Sequence, residues 1–404
     1  MKLFQSSIEV FIIFVLFCAS GVHADPFIGL PGTRAKAMGG AFCGIADDAS
    51  AVWYNPAGTA AGDYEFVFEW SQAISKDTKN KGDDYDLSLY GVNPTALTND
   101  ENNSFMAIKG LEKDIEQNVL GYVFYYLSPY TIDWYFPPEN KKSKTFGNFR
   151  EKMSIIGIAT AVSSYNNHLM FGITIEYLLM RFEIDDIYIF DDINNYSKIS
   201  INDNHSHGFS GSFGFLGVLF DNKEHAIRAK VGGVYRLGST CNAFPFTESD
   251  TEIVTKQMVF SKPSSFDLGF SFSKSFTSLR SAFLFAGQIG ETDWSQTNDI
   301  IKNKYKKTSI GAEWQIAFEN KLRLAFRCGT YSSDADKPEQ GWPDVKGTTF
   351  GIGALLSEKW GIGALFAEKW GLDCTYENRD FSLRNSGFTS QNISLISLSL
   401  TFTF

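Results

Sequence analysis

Beyond its first two dozen residues the sequence has no run of about 18 uninterrupted apolar residues, which excludes a transmembrane helix there. It also lacks a basic excess. With 36 Lys+Arg against 46 Asp+Glu the formal charge is −10, and a nucleic-acid partner that needs a positive surface is excluded with it. At 20% charged residues, a long disordered acidic tail is ruled out too. Catalytic signatures are missing: there is no Gly-x-Ser-x-Gly elbow, no His-Glu-x-x-His and no Walker loop, so neither an enzyme nor a cofactor site is expected. A metal site is expected nowhere either. The paired acids Asp185, Asp186, Asp191 and Asp192 lack EF-hand spacing, and His205-x-His207 is a weak pair. Cysteine is scarce. Cys328 and Cys374 sit on strands separated by another strand, about 10 Å apart at about 4.7–4.9 Å per step, and Cys43 and Cys241 have no evident mate.

What the chain has in quantity is 37 Phe, 17 Tyr, 8 Trp and 35 Gly, a mixture that favours strands over helices. At 404 residues a prior of about 150 per domain suggests two or three domains, unless one closed sheet takes everything. Lys2, the apolar run Val10–Ala19 and Val22-His23-Ala24 read as a secretory signal peptide over 1–24. An exported chain with no helical anchor is either soluble or a closed membrane barrel. Ile396, Leu398, Leu400, Phe402 and Phe404 alternate with Ser397, Ser399, Thr401 and Thr403, and the same dyad recurs over 265–273 and 309–318. Strands are expected near 64–75, 104–110, 119–129, 151–162, 168–182, 208–220, 225–237, 264–273, 281–292, 306–318, 320–331, 347–357, 368–380 and 392–404. Their connections alternate short and long over most of the chain, as in outer-membrane barrels with short periplasmic turns and long external loops. The expected fold is all-β: a fourteen-stranded antiparallel transmembrane barrel over 64–404, multi-pass in the cell outer membrane. A tandem decapeptide, Gly351–Trp360 then Gly361–Trp370, differs at two of ten positions and is expected to enlarge a periplasmic turn or lengthen a hairpin.

Residues 25–63 are rich in Ala and Gly and carry no period-two pattern. They contain two short candidate helices, the second capped by Ser50 or Asp48 and ended by Pro56. The pieces Ala37-Met38-Gly39-Gly40-Ala41-Phe42, Ala46-Asp47-Asp48-Ala49-Ser50-Ala51 and Asn55-Pro56-Ala57-Gly58 form one signature. This segment resembles the N-terminal hatch of the FadL family of outer-membrane long-chain fatty acid transporters. The rest of the chain resembles the family only in architecture, and the drift looks like a divergent, spirochaete-type branch. The resemblance implies a hatch over 25–63 that plugs the lumen, with Asn55, Pro56 and Ala57 controlling passage. Residue chemistry agrees, since Pro56 fixes its own φ and pushes Asn55 to an extended shape. An ordinary helix stop accounts for the same residues.

In Val119–Leu127 both phases are apolar or aromatic. If Val119, Val123 and Leu127 meet lipid, then Tyr122, Phe124 and Tyr126 line the lumen, either for a greasy solute or to pack the hatch. Arg228, Lys230 and Arg236 on one strand and Lys321, Arg323 and Arg327 on another are expected to face inward. There they pair a fatty acid carboxylate or balance Asp47, Asp48, Asp267 and Glu313. Loop 183–207, with Ile184, Ile187, Tyr188, Ile189 and Phe190, and loop 130–150, with Trp134, Tyr135 and Phe136, are candidate capture or anchoring segments. The leading function is passive uptake of long-chain fatty acids or other hydrophobic solutes. A structural or secretion-machinery docking barrel stands second and a polar porin third. The expected partners are the hydrophobic ligand, outer-membrane lipid and the barrel-assembly machinery, whose signal the terminal Phe404 resembles.

Overall fold

The computed structural model describes residues 30–79, 104–114, 118–136, 145–164, 168–192, 195–241, 244–248, 254–258, 261–295, 304–319, 321–336, 344–357, 360–362, 365–367, 369–382 and 390–404. The signal peptide expected over 1–24 lies outside these residues. Fourteen strands make the wall. They are β1 (Glu65–Lys79), β2 (Ser104–Lys113), β3 (Val119–Phe136), β4 (Thr145–Ser164), β5 (Leu169–Asp192), β6 (Asn195–Asn222), β7 (Ile227–Arg236), β8 (Ser264–Phe276), β9 (Ser281–Asp293), β10 (Lys304–Ala317), β11 (Leu322–Ala335), β12 (Asp344–Leu356), β13 (Lys369–Ser382) and β14 (Ser390–Thr403). Each pairs antiparallel with its sequence neighbours. β1 closes on β14 with Glu65 opposite Thr403, so the sheet has no free edge and its backbone polar groups are satisfied within the wall.

The outward phase is apolar on every flank. Met106 and Ile108, Ile156 and Ile158, Ile173 and Ile175, alternate residues Phe266, Leu268, Phe270 and Phe272, and Phe350 and Ile352 are exposed, Ile175 at 65%. No soluble protein leaves such a belt in water, whereas a bilayer solvates it. The protein is therefore a membrane barrel of the outer-membrane type.

Differences from expectation lie in the long loops. Strands β3 to β6 run on to Phe136, from Thr145, to Asp192 and from Asn195, so most of loops 130–150 and 183–207 is tall hairpin. Aromatic and β-branched residues there sustain pairing past the bilayer, a preference the interspersed Asp and Pro residues had masked. At the opposite end, the link between β10 and β11 is 318–321 rather than Glu319 alone. The decapeptide duplication forms a small hairpin, Trp360–Ile362 against Leu365–Ala367, within the β12–β13 connection. A bulge at Ser128 and Pro129 interrupts β3 between Leu127 and Tyr130, a place in a sheet where proline is tolerated.

Candidate functional site

Residues 30–61 fill the lumen, almost all of them buried. They form α1 (Thr33–Ala37), α2 (Ala51–Tyr54) and a 3₁₀ turn over Pro56–Ala60. Gly39 and Gly40 adopt φ of 64° and 74°, a left-handed pair that reverses the chain after α1 and explains the Met-Gly-Gly of the signature. α2 stops where Asn55 turns extended, at φ −167°, ahead of Pro56. The fully buried Asn55 donates from Nδ2 to the Cys43 carbonyl (3.0 Å) and to the Phe215 carbonyl of β6 (2.7 Å), and its Oδ1 accepts from the Ala57 N–H (3.2 Å).

Wall glycines let the hatch lie this close. A Cβ on Gly121, Gly172 or Gly214 would overlap Thr59, Pro56 or Asn55, and one on Gly232 or Gly269 would overlap Cys43 or Gly44. Across the barrel, Gly311, Gly329 and Gly351 stand equally tight against Met38, Gly39 and Ala37. Several of these pair directly across strands, Gly172 with Gly214, Gly232 with Gly269, and Gly311 with Gly329. The result is a girdle of small inward residues from β3 round to β12, a recognised use of strand glycine where another backbone approaches.

Polar side chains of the wall take up the hatch backbone. Gln288 Oε1 accepts from the N–H groups of Phe42 (3.2 Å) and Cys43 (3.0 Å), and Ser271 donates to the Gly44 carbonyl (2.8 Å). Arg236 donates to the Trp53 carbonyl through Nε (2.9 Å) and Nη2 (2.5 Å) and pairs with Asp267 at 2.6 Å. Arg34 of α1 bridges Asp47 (2.5 Å) and Glu313 (2.9 Å), and Glu313 also holds Arg327 (2.5 Å), which reaches Asp373. The barrel interior pushes the Asp47 carboxyl up, and Arg34 with Lys230 pulls it back below its ordinary value, although 36% of that side chain stays open to screening water. Asp48 sits above its ordinary value because burial and Asp47 outweigh Arg34. Burial likewise raises the Cys43 thiol.

Two environments flank the hatch. Towards the long-loop end, inward Val123, Leu127, Met153, Ile155, Leu178 and Met180 of β3 to β5 pack with Trp53 of the hatch and with Cys241, Trp294 and Tyr305. Lys262, after β7, dips into this region and pairs with Glu176, to which the Tyr125 hydroxyl also donates (3.1 Å). At the short-turn end lies a charged cavity of about 440 Å³, lined among others by Arg34, Asp47, Glu65, Arg323, Arg327 and Asp373, with Asp63 and Lys369 (3.0 Å apart) at its rim.

No family model matches the chain, and no curated protein matches it. Solved structures do. A Pseudomonas aeruginosa FadL homologue superposes with a TM-score of 0.61 at 14% identity, over 95% of this chain and 100% of that one. The fold is that of the FadL-type barrels. The P. putida toluene transporter TodX follows at a TM-score of 0.56 and 12% identity, covering 93% of this chain and 98% of its own. The CymD monoaromatic hydrocarbon channel does so at 0.56 and 12%, over 92% and 97%.

Within this FadL-type barrel one expected set of residues is on the wrong side. Tyr122, Phe124 and Tyr126 point outward: Phe124 is 53% exposed among the lipid-facing residues, Tyr122 lies over Gly110, and the Tyr126 hydroxyl meets Ser154 at 3.2 Å. Val119, Val123 and Leu127 face the lumen instead. Both phases of β3 are apolar, so periodicity could not choose; Gly121 decides, because only a residue without Cβ fits against Thr59 and Ala60. Arg228, Arg323 and Arg327 do face inward but do not converge, whereas Lys321 sits exposed in the β10–β11 turn. Arg228 stands 3.7 Å from Asp221 on β6, Arg327 is committed to Glu313 and Asp373, and Arg323 faces the cavity with no ionic partner among the described residues. The apolar lining of β4 and β5 was missed. Its signal was the apolar content of both phases in 153–158 and 177–180.

Proposed function

We propose that this protein is an outer-membrane channel for passive uptake of hydrophobic solutes, with long-chain fatty acids the favoured class. The observation that carries this reading is the continuous inward apolar surface of Val123, Met153, Ile155, Leu178 and Met180 above the hatch. A water-filled porin lines its lumen with polar groups. The neighbours named as toluene and monoaromatic hydrocarbon channels have the same fold, and their cargo is of the same greasy kind. Asn55, Pro56 and Ala57 then belong to the part of the hatch that resists passage, being docked on β5 and β6.

An acyl chain would enter by displacing Trp294 and the segment around Cys241 from the apolar patch, exchanging one buried contact for another. Each methylene buried is worth about 0.8 kcal/mol. The acid group would be met by Arg323, a cavity cation with no ionic partner among the described residues.

Titration of the purified protein with a fluorescent long-chain acid tests this. Ile155→Ala and Leu178→Ala are each expected to weaken binding by about 1 kcal/mol, roughly fivefold, and Phe124→Ala to leave it unchanged. Arg323→Gln should weaken the acid more than its methyl ester. Binding that is absent, or insensitive to Ile155 and Leu178, would favour a docking barrel whose lumen holds only its plug.

A further inference from the structure

The connection after β7 does not stay outside the barrel. β7 leaves the wall at Arg236, which pairs with Ser212 of β6 on one side and Ser265 of β8 on the other, while β6 extends beyond that level to Asn195. At this notch the chain turns into the lumen as a short ribbon, Ser239–Thr240 against Ser261–Lys262, and Pro263, which has no N–H, separates it from β8.

So short a ribbon has little stability of its own, and what it touches holds it down. Cys241, 1% exposed, shares a buried cluster with Val123, Ile155, Leu178 and Met180. A Cβ on Gly208, which faces Leu178 across the β5–β6 ladder, would lie 3.2 Å from the Cys241 Sγ. Lys262, also 1% exposed, reaches deeper. It pairs with Glu176, the next inward position from Leu178 towards the hatch, and donates to the Ser210 hydroxyl at 3.2 Å. Glu176 also accepts from Tyr125 (3.1 Å) and Thr174 (3.4 Å), and Ser239 donates to the Phe209 carbonyl. The ribbon thus lies over the apolar patch, anchored by a charge pair set below it.

We infer that this ribbon is an outer lid on the apolar patch, latched by Lys262 on Glu176 and lifted to admit solute from the long-loop end. The inference rests on the transport reading proposed above and adds how entry is controlled. Both states of the latch satisfy its charges. Closed, the pair is shielded from water, which strengthens the attraction. Open, Lys262 is carried into solvent, and Glu176 stays in a lumen then open to water, with the Tyr125 hydroxyl still bonded to it. Solute takes the place of Cys241 on the patch, so the apolar surface remains covered.

The test locks the lid in the full-length protein. Gly208→Cys brings a thiol within disulfide reach of the native Cys241. With the cross-link complete, fatty acid uptake in cells lacking their own fatty acid channel is expected to fall at least fivefold, and reduction to restore it. Unchanged uptake in the oxidised protein would overturn the lid and leave the transport reading standing. Uptake absent from the reduced and native proteins alike would count against the transport reading instead. The latch is therefore also read without transport, as the rate at which a maleimide modifies Cys241 in the purified protein. In Lys262→Met/Glu176→Gln, which orphans no charge and is checked for folding by its heat-modifiable gel shift, that rate should rise at least fivefold over the native protein, while Cys43 in the hatch stays as protected as before. An unchanged rate in the folded variant, or an equal rise at both thiols, would overturn the latch whether or not uptake is seen.

Discussion

Removal of one partner from the hatch's buried anchor gives a quantitative test of its docking. In Arg236→Met the stem volume is kept, but Asp267, 4% exposed, loses the guanidinium 2.6 Å away, and the Trp53 carbonyl loses two donors. The cation over the Trp53 ring, 5.3 Å from its centroid, goes as well. Breaking a buried pair from one side costs about 3–5 kcal/mol. Lys307 is a second cation acting on Asp267, which sets the expectation at the lower end, about 3 kcal/mol. That is roughly a hundredfold more of the undocked hatch. In Arg236→Met/Asp267→Leu the orphaned carboxylate is gone, and what is missing is the bonds to the Trp53 carbonyl and the attraction between Lys307 and Asp267, for about 1–2 kcal/mol, less than in the single variant. Native-state hydrogen exchange reads this directly, with the Trp53 and Asn55 amides, bonded to the Ser50 and Ala51 carbonyls, as reporters and the amides of β9 as the internal reference. If the single variant leaves these reporters unchanged, or the double variant is as exchange-prone as the single, the anchoring argument is wrong.

Other consequences are as direct. Phe124→Arg should cost about 2–4 kcal/mol in a denaturant titration from lipid vesicles, because it puts a charge toward hydrocarbon; a negligible loss would return this side chain to the lumen. Gly172→Val should unseat the Pro56 turn at a cost of about 1–3 kcal/mol, read as protease cleavage within residues 52–60 while the wall stays intact. Deleting 361–370 should be tolerated: Trp360 then takes the place of Trp370 opposite Leu356, leaving Ser357-Glu358-Lys359 as a three-residue turn. Failure of that variant to assemble would show that the extra hairpin contributes to folding.

Strand number and place were legible because fourteen segments carry a period-two pattern or sit between turn residues, and closure follows once no edge is allowed. The turns within residues 30–61 were legible because Gly39-Gly40 and Asn55-Pro56 need particular backbone shapes, whereas the hatch role came from the resemblance alone. What periodicity could not give was the direction of β3, whose two faces are equally apolar. The sign there is set by a long-range contact, Gly121 on Thr59, and the same holds for the other wall glycines, which in a one-dimensional reading look like ordinary strand residues. The roles of the inward arginines were open for a similar reason. Arg236 and Arg327 are taken by Asp267, Glu313 and Asp373, whereas Arg323 has no such partner among the described residues, and only the pairing across strands distinguishes them.

Transport itself is tested most directly by uptake of radiolabelled long-chain fatty acid in a Gram-negative host deleted for its own channel, with a small hydrophilic solute measured in parallel. Expression of this protein is expected to restore saturable fatty acid uptake several-fold over the deleted host and to leave the hydrophilic solute at background. Fatty acid uptake at background with free passage of the hydrophilic solute would contradict the account and make the barrel a polar porin.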